Sequence, residues 1–137
     1  MTDRRAFLAA ALIAPIAIST PAFAADHFRP AWEIALAAER LAWNEMEAFH
    51  AANVRPLDLA HRAGTGSLEA VLKAEEAWSE YTSAHAQAVN NLLLTAAPNW
   101  AAVEKKLEMG INDDAFGSDD QGEAMLKAIL ADVKRLA

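Results

Sequence analysis

The chain contains no cysteine. Disulfides, thiolate-ligated zinc, iron–sulfur clusters, thiol nucleophiles and thioether-linked haem are therefore excluded. Glycine and proline are scarce, with 5 of each in 137 residues, so few positions interrupt a helix. β-Branched residues stand singly and rarely alternate with polar ones, which leaves no convincing strand. Basic residues are outnumbered, 12 Lys and Arg against 19 Asp and Glu, for a net charge of -7. That balance argues against sequence-independent nucleic-acid binding, which rests on cations neutralising phosphates. It equally disfavours a basic helix lying on a membrane surface. No glycine-rich phosphate loop is present, because Gly64-Thr65-Gly66-Ser67 lacks the lysine, and no serine has a nucleophile-elbow setting. With no catalytic constellation to point to, the sequence reads as that of a non-enzyme.

Alanine is abundant, 34 of the 137 residues. It gives up least on entering a helix, so an all-α protein is expected.

The first residues form a separate unit. Arg4 and Arg5 precede an apolar, uncharged run of about 14 residues, and Ala22 and Ala24 close it in a small-x-small arrangement. Charged start, apolar middle and small-residue end are the parts of a secretory signal. The run would span about 21 Å as a helix, short of a roughly 30 Å hydrocarbon core. An inner-membrane anchor is thus the lesser alternative to cleavage. The stretch "RRAFL", with Arg4, Arg5, Phe7 and Leu8, resembles a twin-arginine translocation signal. Asp3 stands where that family usually has Ser or Thr, and Ala9 where Lys is usual. The resemblance implies recognition by the export machinery and a periplasmic location. Residues 1–24 then form the signal and 25–137 a single helical domain, more acidic for the loss of Arg4 and Arg5.

Within that domain, Pro30 is expected to open a long helix whose stripe is Trp32, Leu36, Trp43, Met46 and His50, widened by Ile34, Leu41 and Ala48. The helix is expected to end near Asn53, before Arg55-Pro56. Residues 53–67 are the best linker candidate, with at most a helical turn in "LDLAHR". A second long helix spans about 67 to 96, with Leu68, Val71, Leu72, Trp78, Tyr81, His85, Val89, Leu92 and Leu93 on or near one face. Pro98 restarts the chain into a short amphipathic helix whose apolar face holds Trp100, Val103, Leu107 and Ile111. Ser118 and Gln121 have capping-box spacing before a last helix burying Met125, Ile129, Val133 and Leu136. The expected architecture is all-α. Two long helices form an antiparallel hairpin covered by two short C-terminal helices, with the signal helix apart.

The C-terminal third, through Thr95, Pro98, Lys106, Leu107 and Glu108 and on to "ILADVKRLA", resembles small helical proteins of alphaproteobacteria. No activity follows from that resemblance.

Of the four histidines, His27 stands near the mature N-terminus, and His50, His61 and His85 can be weighed as ligands. Glu47 and His50 sit one turn apart, the ExxH spacing that ferritin-like di-iron bundles use in two copies. Asp58 and His61 form an imperfect second copy in the linker. Glu39, Glu75, Glu76 and Glu80 could add carboxylates. A site for a divalent metal or iron is one possibility, and an ordinary helix surface is the other. His85, on the apolar face, reads as a core histidine with a hydrogen-bonded ring. Trp32, Trp43, Trp78 and Trp100 all occupy stripe positions, where core packing competes with a partner-facing aromatic patch. The long helix is only half covered by the first. The functional expectation is accordingly an exported binding, structural or self-associating module, with a periplasmic metal-binding bundle as the alternative.

Overall fold

A computed structural model describes residues 22–117 and 119–137. Arg4, Arg5, Phe7 and Leu8 lie outside the described residues, as does the expected cap Ser118. Among the described residues the chain is helical, with no strand, in the order α1 (Ala22–Phe49), a π-helical turn (His50–Val54), α2 (Arg55–Arg62), α3 (Leu68–Leu94), α4 (Trp100–Asn112) and α5 (Asp120–Leu136). The antiparallel hairpin of α1 and α3, joined by two shorter C-terminal helices, is the expected architecture. No described helix is long and apolar enough to cross a membrane.

Two boundaries differ from expectation. Pro30 lies inside α1 and does not start it. The boundary expected after Ala24 therefore falls in the helix's first turn. The expected linker is largely helical, because the chain runs from α1 into α2 without a break. Pro56 has no N–H, and its ring would crowd the carbonyl four residues back in an α-helix. The chain answers by widening one turn: Arg55 N–H bonds the His50 carbonyl, five residues back. The true break is at 63–67, where Gly64 takes φ of 74°, a left-handed conformation that suits glycine. Thr65 and Gly66 N–H groups both return to the Ala60 carbonyl at 3.0 Å.

The lower half of α3 is consequently flanked by the π turn and α2 as well as α1. Trp78 Nε1 donates to the Met46 carbonyl at 3.2 Å, and Phe49 stacks on Tyr81 at 4.6 Å. The upper half of α3 carries α4 and α5. Trp32, Val89, Leu92, Leu93, Ala102, Val103, Met125, Ile129 and Leu136 form the main core there. α4 and α5 pack on α3 and on each other, while their backbones stay away from α1. Trp32 and Phe28 bridge that gap with side chains; the Phe28 ring lies 4.5 Å from the Arg135 guanidinium. α4 is capped by Asn99, whose side chain accepts from Ala102 N at 3.0 Å. α5 is capped by Asp119, which accepts from Gly122 N at 2.8 Å.

The stripes are only partly those expected. Ile34 and Leu41, assigned to widen the α1 stripe, are exposed, as are Leu68 and Leu72 on α3. α4 differs most. Its core side is Ala102, Val103, Lys106, Met109 and Gly110. The expected face of Trp100, Leu107 and Ile111 points outward.

Candidate functional site

The ExxH residues come first. Glu47, His50 and Asp58 line one shallow cavity of about 590 Å³, together with Arg55, Arg62 and Trp78. The π turn and the helical continuation into α2 bring them there. His50 packs on the Trp78 ring at 4.8 Å. Asp58 is taken by Arg62, Oδ2 to a guanidinium nitrogen at 2.9 Å. His61 leaves the group and its Nδ1 meets the Gly66 carbonyl at 3.3 Å, closing the α2–α3 turn. Among the described residues, no three His, Asp or Glu side chains converge in a geometry that could hold a metal ion. Glu75, Glu76 and Glu80 are exposed on α3. The ExxH spacing thus yields a packed imidazole beside a separate ion pair.

Glu39 goes elsewhere. Its Oε1 lies 3.4 Å from His85 Nε2, and both side chains are largely buried. Trp43 meets the His85 ring edge-on at 5.1 Å. His85 is the buried histidine with a bonded ring that its apolar setting suggests. Its cleft, about 320 Å³, opens between α1 and α4 with Lys105, Met109, Asn112 and Asp113 on the α4 side. The pair ties α1 to α3 through a polar contact where the two C-terminal helices stand clear of α1.

A third cluster lies outside the candidate residues that the sequence motifs suggest. Lys106 is fully buried, at 0% exposure, and its Nζ donates to Asp132 Oδ2 at 2.6 Å. Asp132 Oδ1 accepts from Ala97 N at 3.0 Å and from Arg135 at 2.9 Å. Arg135 also donates to the Ala97 carbonyl. Both polar groups of Ala97, at the break between α3 and α4, are therefore satisfied by α5. Burial pushes the Lys106 ammonium below its ordinary pKa, and the bond and charge of Asp132 oppose that shift. A signal existed in the sequence. Lys106 falls between Val103 and Met109 on the α4 core stripe, and Asp132 between Ile129 and Leu136 on α5. One charge of each sign inside two facing apolar stripes points to a buried pair.

The fourth feature is a surface. Trp100, Leu107 and Ile111 on α4 are 51%, 40% and 71% exposed. They recur along one helical row, and with Val103 and Val133 they line a shallow apolar groove of about 510 Å³ between α4 and α5. Leu126 and Leu130 continue the α5 side and are also exposed. Glu104 and Glu108 edge the groove on α4. Of the four tryptophans, Trp32 is buried, Trp78 is half-buried and bonded, Trp43 is partly exposed with its ring on His85, and Trp100 faces outward.

The chain matches no family model, no curated protein and no solved structure.

Proposed function

We propose that this is an exported helical protein that acts by holding a partner at the outer α4–α5 face, and that it is not an enzyme. The observation that carries this reading is the second apolar face of α4. A helix with one buried face is satisfied by its own domain. α4 presents Trp100, Leu107 and Ile111 to water as well as packing Val103 and Met109 inside. Contiguous exposed apolar surface with an aromatic anchor is the composition of interaction surfaces. The buried charges support the same division of labour. Lys106, Asp132 and Arg135 are consumed in fixing the α4–α5 pair and its connection to α3. They hold the groove in one shape, and rigid surfaces bind with less entropy lost.

The location rests on Arg4, Arg5, Phe7 and Leu8, with periplasmic export by the twin-arginine route and cleavage after Ala24. Mass spectrometry of the protein recovered from its host tests the cleavage: a chain beginning at Ala25 is expected. The pair of substitutions R4K and R5K should leave the precursor in the cytoplasm, and normal export of that variant would overturn the route.

A photo-crosslinking residue placed at Leu107 tests the interaction in cells, with the same group at Glu75 on α3 as the control. Adducts at position 107 and not at 75 are expected. A surface that yields no adduct at 107 is not an interaction surface.

A further inference from the structure

We propose, resting on the interaction reading above, that the occupant of the α4–α5 groove is a second copy of this chain, related by a two-fold axis that runs along the groove. The alanine-lined groove between α1 and α3 is the rival surface. It offers Ala31, Ala35, Ala38 and Ala84 with Ile34 as its one large apolar residue, and so it lacks an anchor.

The charge pattern selects the second copy. On the α4 edge stand Glu104 and Glu108, both exposed. On the α5 edge, Lys127 precedes Leu130 by one turn and Lys134 follows it by one turn, and both are exposed. Glu123 shares that edge and pairs with Lys127 at 2.5 Å, so these three described residues give the edge one net positive charge. One edge of the apolar strip is therefore acidic and the other carries a basic excess. Such a strip is complementary to itself turned over, which is the requirement for an isologous interface.

The register agrees. α4 and α5 run antiparallel: Lys106 meets Asp132, while Ala97, before α4, meets Asp132 and Arg135 towards the end of α5. Glu104 is thus near the level of Lys134, and Glu108 lies further along towards Lys127. A two-fold axis along the groove keeps these levels and exchanges the edges. It sets α4 of one copy over α5 of the other, with Glu104 facing the partner's Lys134 and Glu108 facing the partner's Lys127. An axis across the groove would stack α4 on α4 and oppose the glutamates, which like-charge repulsion disfavours. In the chosen arrangement Trp100, Leu107 and Ile111 meet the Leu126, Leu130 and Val133 row of the other copy.

Light scattering and sedimentation on the purified protein test this. The wild-type chain is expected to run at twice its monomer mass of 14.8 kDa less any cleaved signal. Ile111→Glu should give monomer with an unchanged circular dichroism spectrum, since Ile111 is exposed. Glu104→Lys with Glu108→Lys should weaken the dimer at least about tenfold. Adding Lys127→Glu and Lys134→Glu to that variant should restore it to within about threefold. The restoration is the decisive readout, because a merely apolar association would not respond to the swap. A chain that stays monomeric at every concentration overturns the proposal. A dimer indifferent to Ile111→Glu places the contact elsewhere, and a swap that fails to restore the dimer overturns the two-fold arrangement. A monomeric chain that still crosslinks at Leu107 to another protein sinks this assignment alone. A monomeric chain without crosslinks sinks the interaction reading as well.

Discussion

Lys106 and Asp132 meet at 2.6 Å with both side chains withdrawn from water. The two are not equivalent. Asp132 also accepts from Ala97 N and Arg135, whereas Lys106 Nζ donates to Asp132. Removing Asp132 therefore leaves an uncompensated buried cation and frees the α3–α4 break. Removing Lys106 leaves a carboxylate that keeps two donors. Asp132→Ala is expected to cost about 3–5 kcal/mol. Lys106→Met, which keeps the stem's volume and leaves Asp132 its two other donors, should cost less than Asp132→Ala. Urea unfolding of both variants checks this, and equal losses would show that the pair is not asymmetric.

The same pair predicts a pH dependence. Burial lowers the Lys106 pKa from its ordinary 10.5, and Asp132 opposes the shift through its hydrogen bond and charge. In Asp132→Asn the opposing charge is gone. The folded state then binds fewer protons than the unfolded state from the lowered value up to 10.5. Stability must rise with pH across that window, by up to about 1.4 kcal/mol per pH unit. Below the window the folded state carries a buried charge, and the full penalty applies. The double variant Asp132→Asn with Lys106→Met lacks this group and supplies the reference. An Asp132→Asn chain whose stability follows the reference from neutral to alkaline pH would show that Lys106 reaches water.

Gly110 is a packing requirement. It is buried on the core side of α4, and a Cβ built there would overlap the Phe116 ring. The N–H of Ala115 also returns to the Gly110 carbonyl at 2.9 Å, which holds the following turn beneath the helix. Alanine would favour the helix by about 1 kcal/mol. The overlap costs more, so Gly110→Ala is expected to destabilise by a net of about 1–2 kcal/mol. Combining it with Phe116→Leu should recover part of that loss. Thermal unfolding of the two single variants and the pair measures the coupling, and a purely additive pair would mean the two residues do not touch.

How far the sequence reveals this molecule depends on what each signal encodes. Alanine abundance and the helical spacing of Val89, Leu92, Met125 and Ile129 gave the all-α hairpin, because a long amphipathic helix has one stable way to hide its stripe. Pro56 misled, since a proline read locally ends a helix, and here a single wide turn absorbs it. The α1 stripe is narrower than its spacing suggests: Ile34 and Leu41 face water because α4 and α5 cover α3 and leave α1 clear. ExxH spacing sets Glu47 near the end of α1 and His50 at the start of the π turn, both on the same cavity. It could not place further ligands, which would come from other elements and which do not converge among the described residues. The buried Lys106–Asp132 pair was legible in principle, as charges within apolar stripes. The α4 face was legible only as apolar, because periodicity cannot say which of two adjacent apolar faces looks inward.

That ambiguity gives the last prediction. Leu92 and Leu107 are both leucines on amphipathic helices, and the sequence ranks them alike. Leu92 is enclosed between Val89, Leu93 and the core of α5, with none of its surface in contact with water. Leu107 stands on the outer row with Trp100 and Ile111. Truncating Leu92 to alanine opens a cavity that close-packed neighbours cannot fill, at about 2–5 kcal/mol. Truncating Leu107, already 40% exposed, removes far less buried contact, so the monomer's stability should change by less than about 1 kcal/mol. The two variants should therefore separate folding from association. Leu92→Ala is expected to lower the urea midpoint, and Leu107→Ala to leave it in place in dilute solution while weakening binding at the groove. Were Leu107→Ala to cost as much as Leu92→Ala in dilute solution, the α4 outer row would belong to the core, and the surface described for it would not exist.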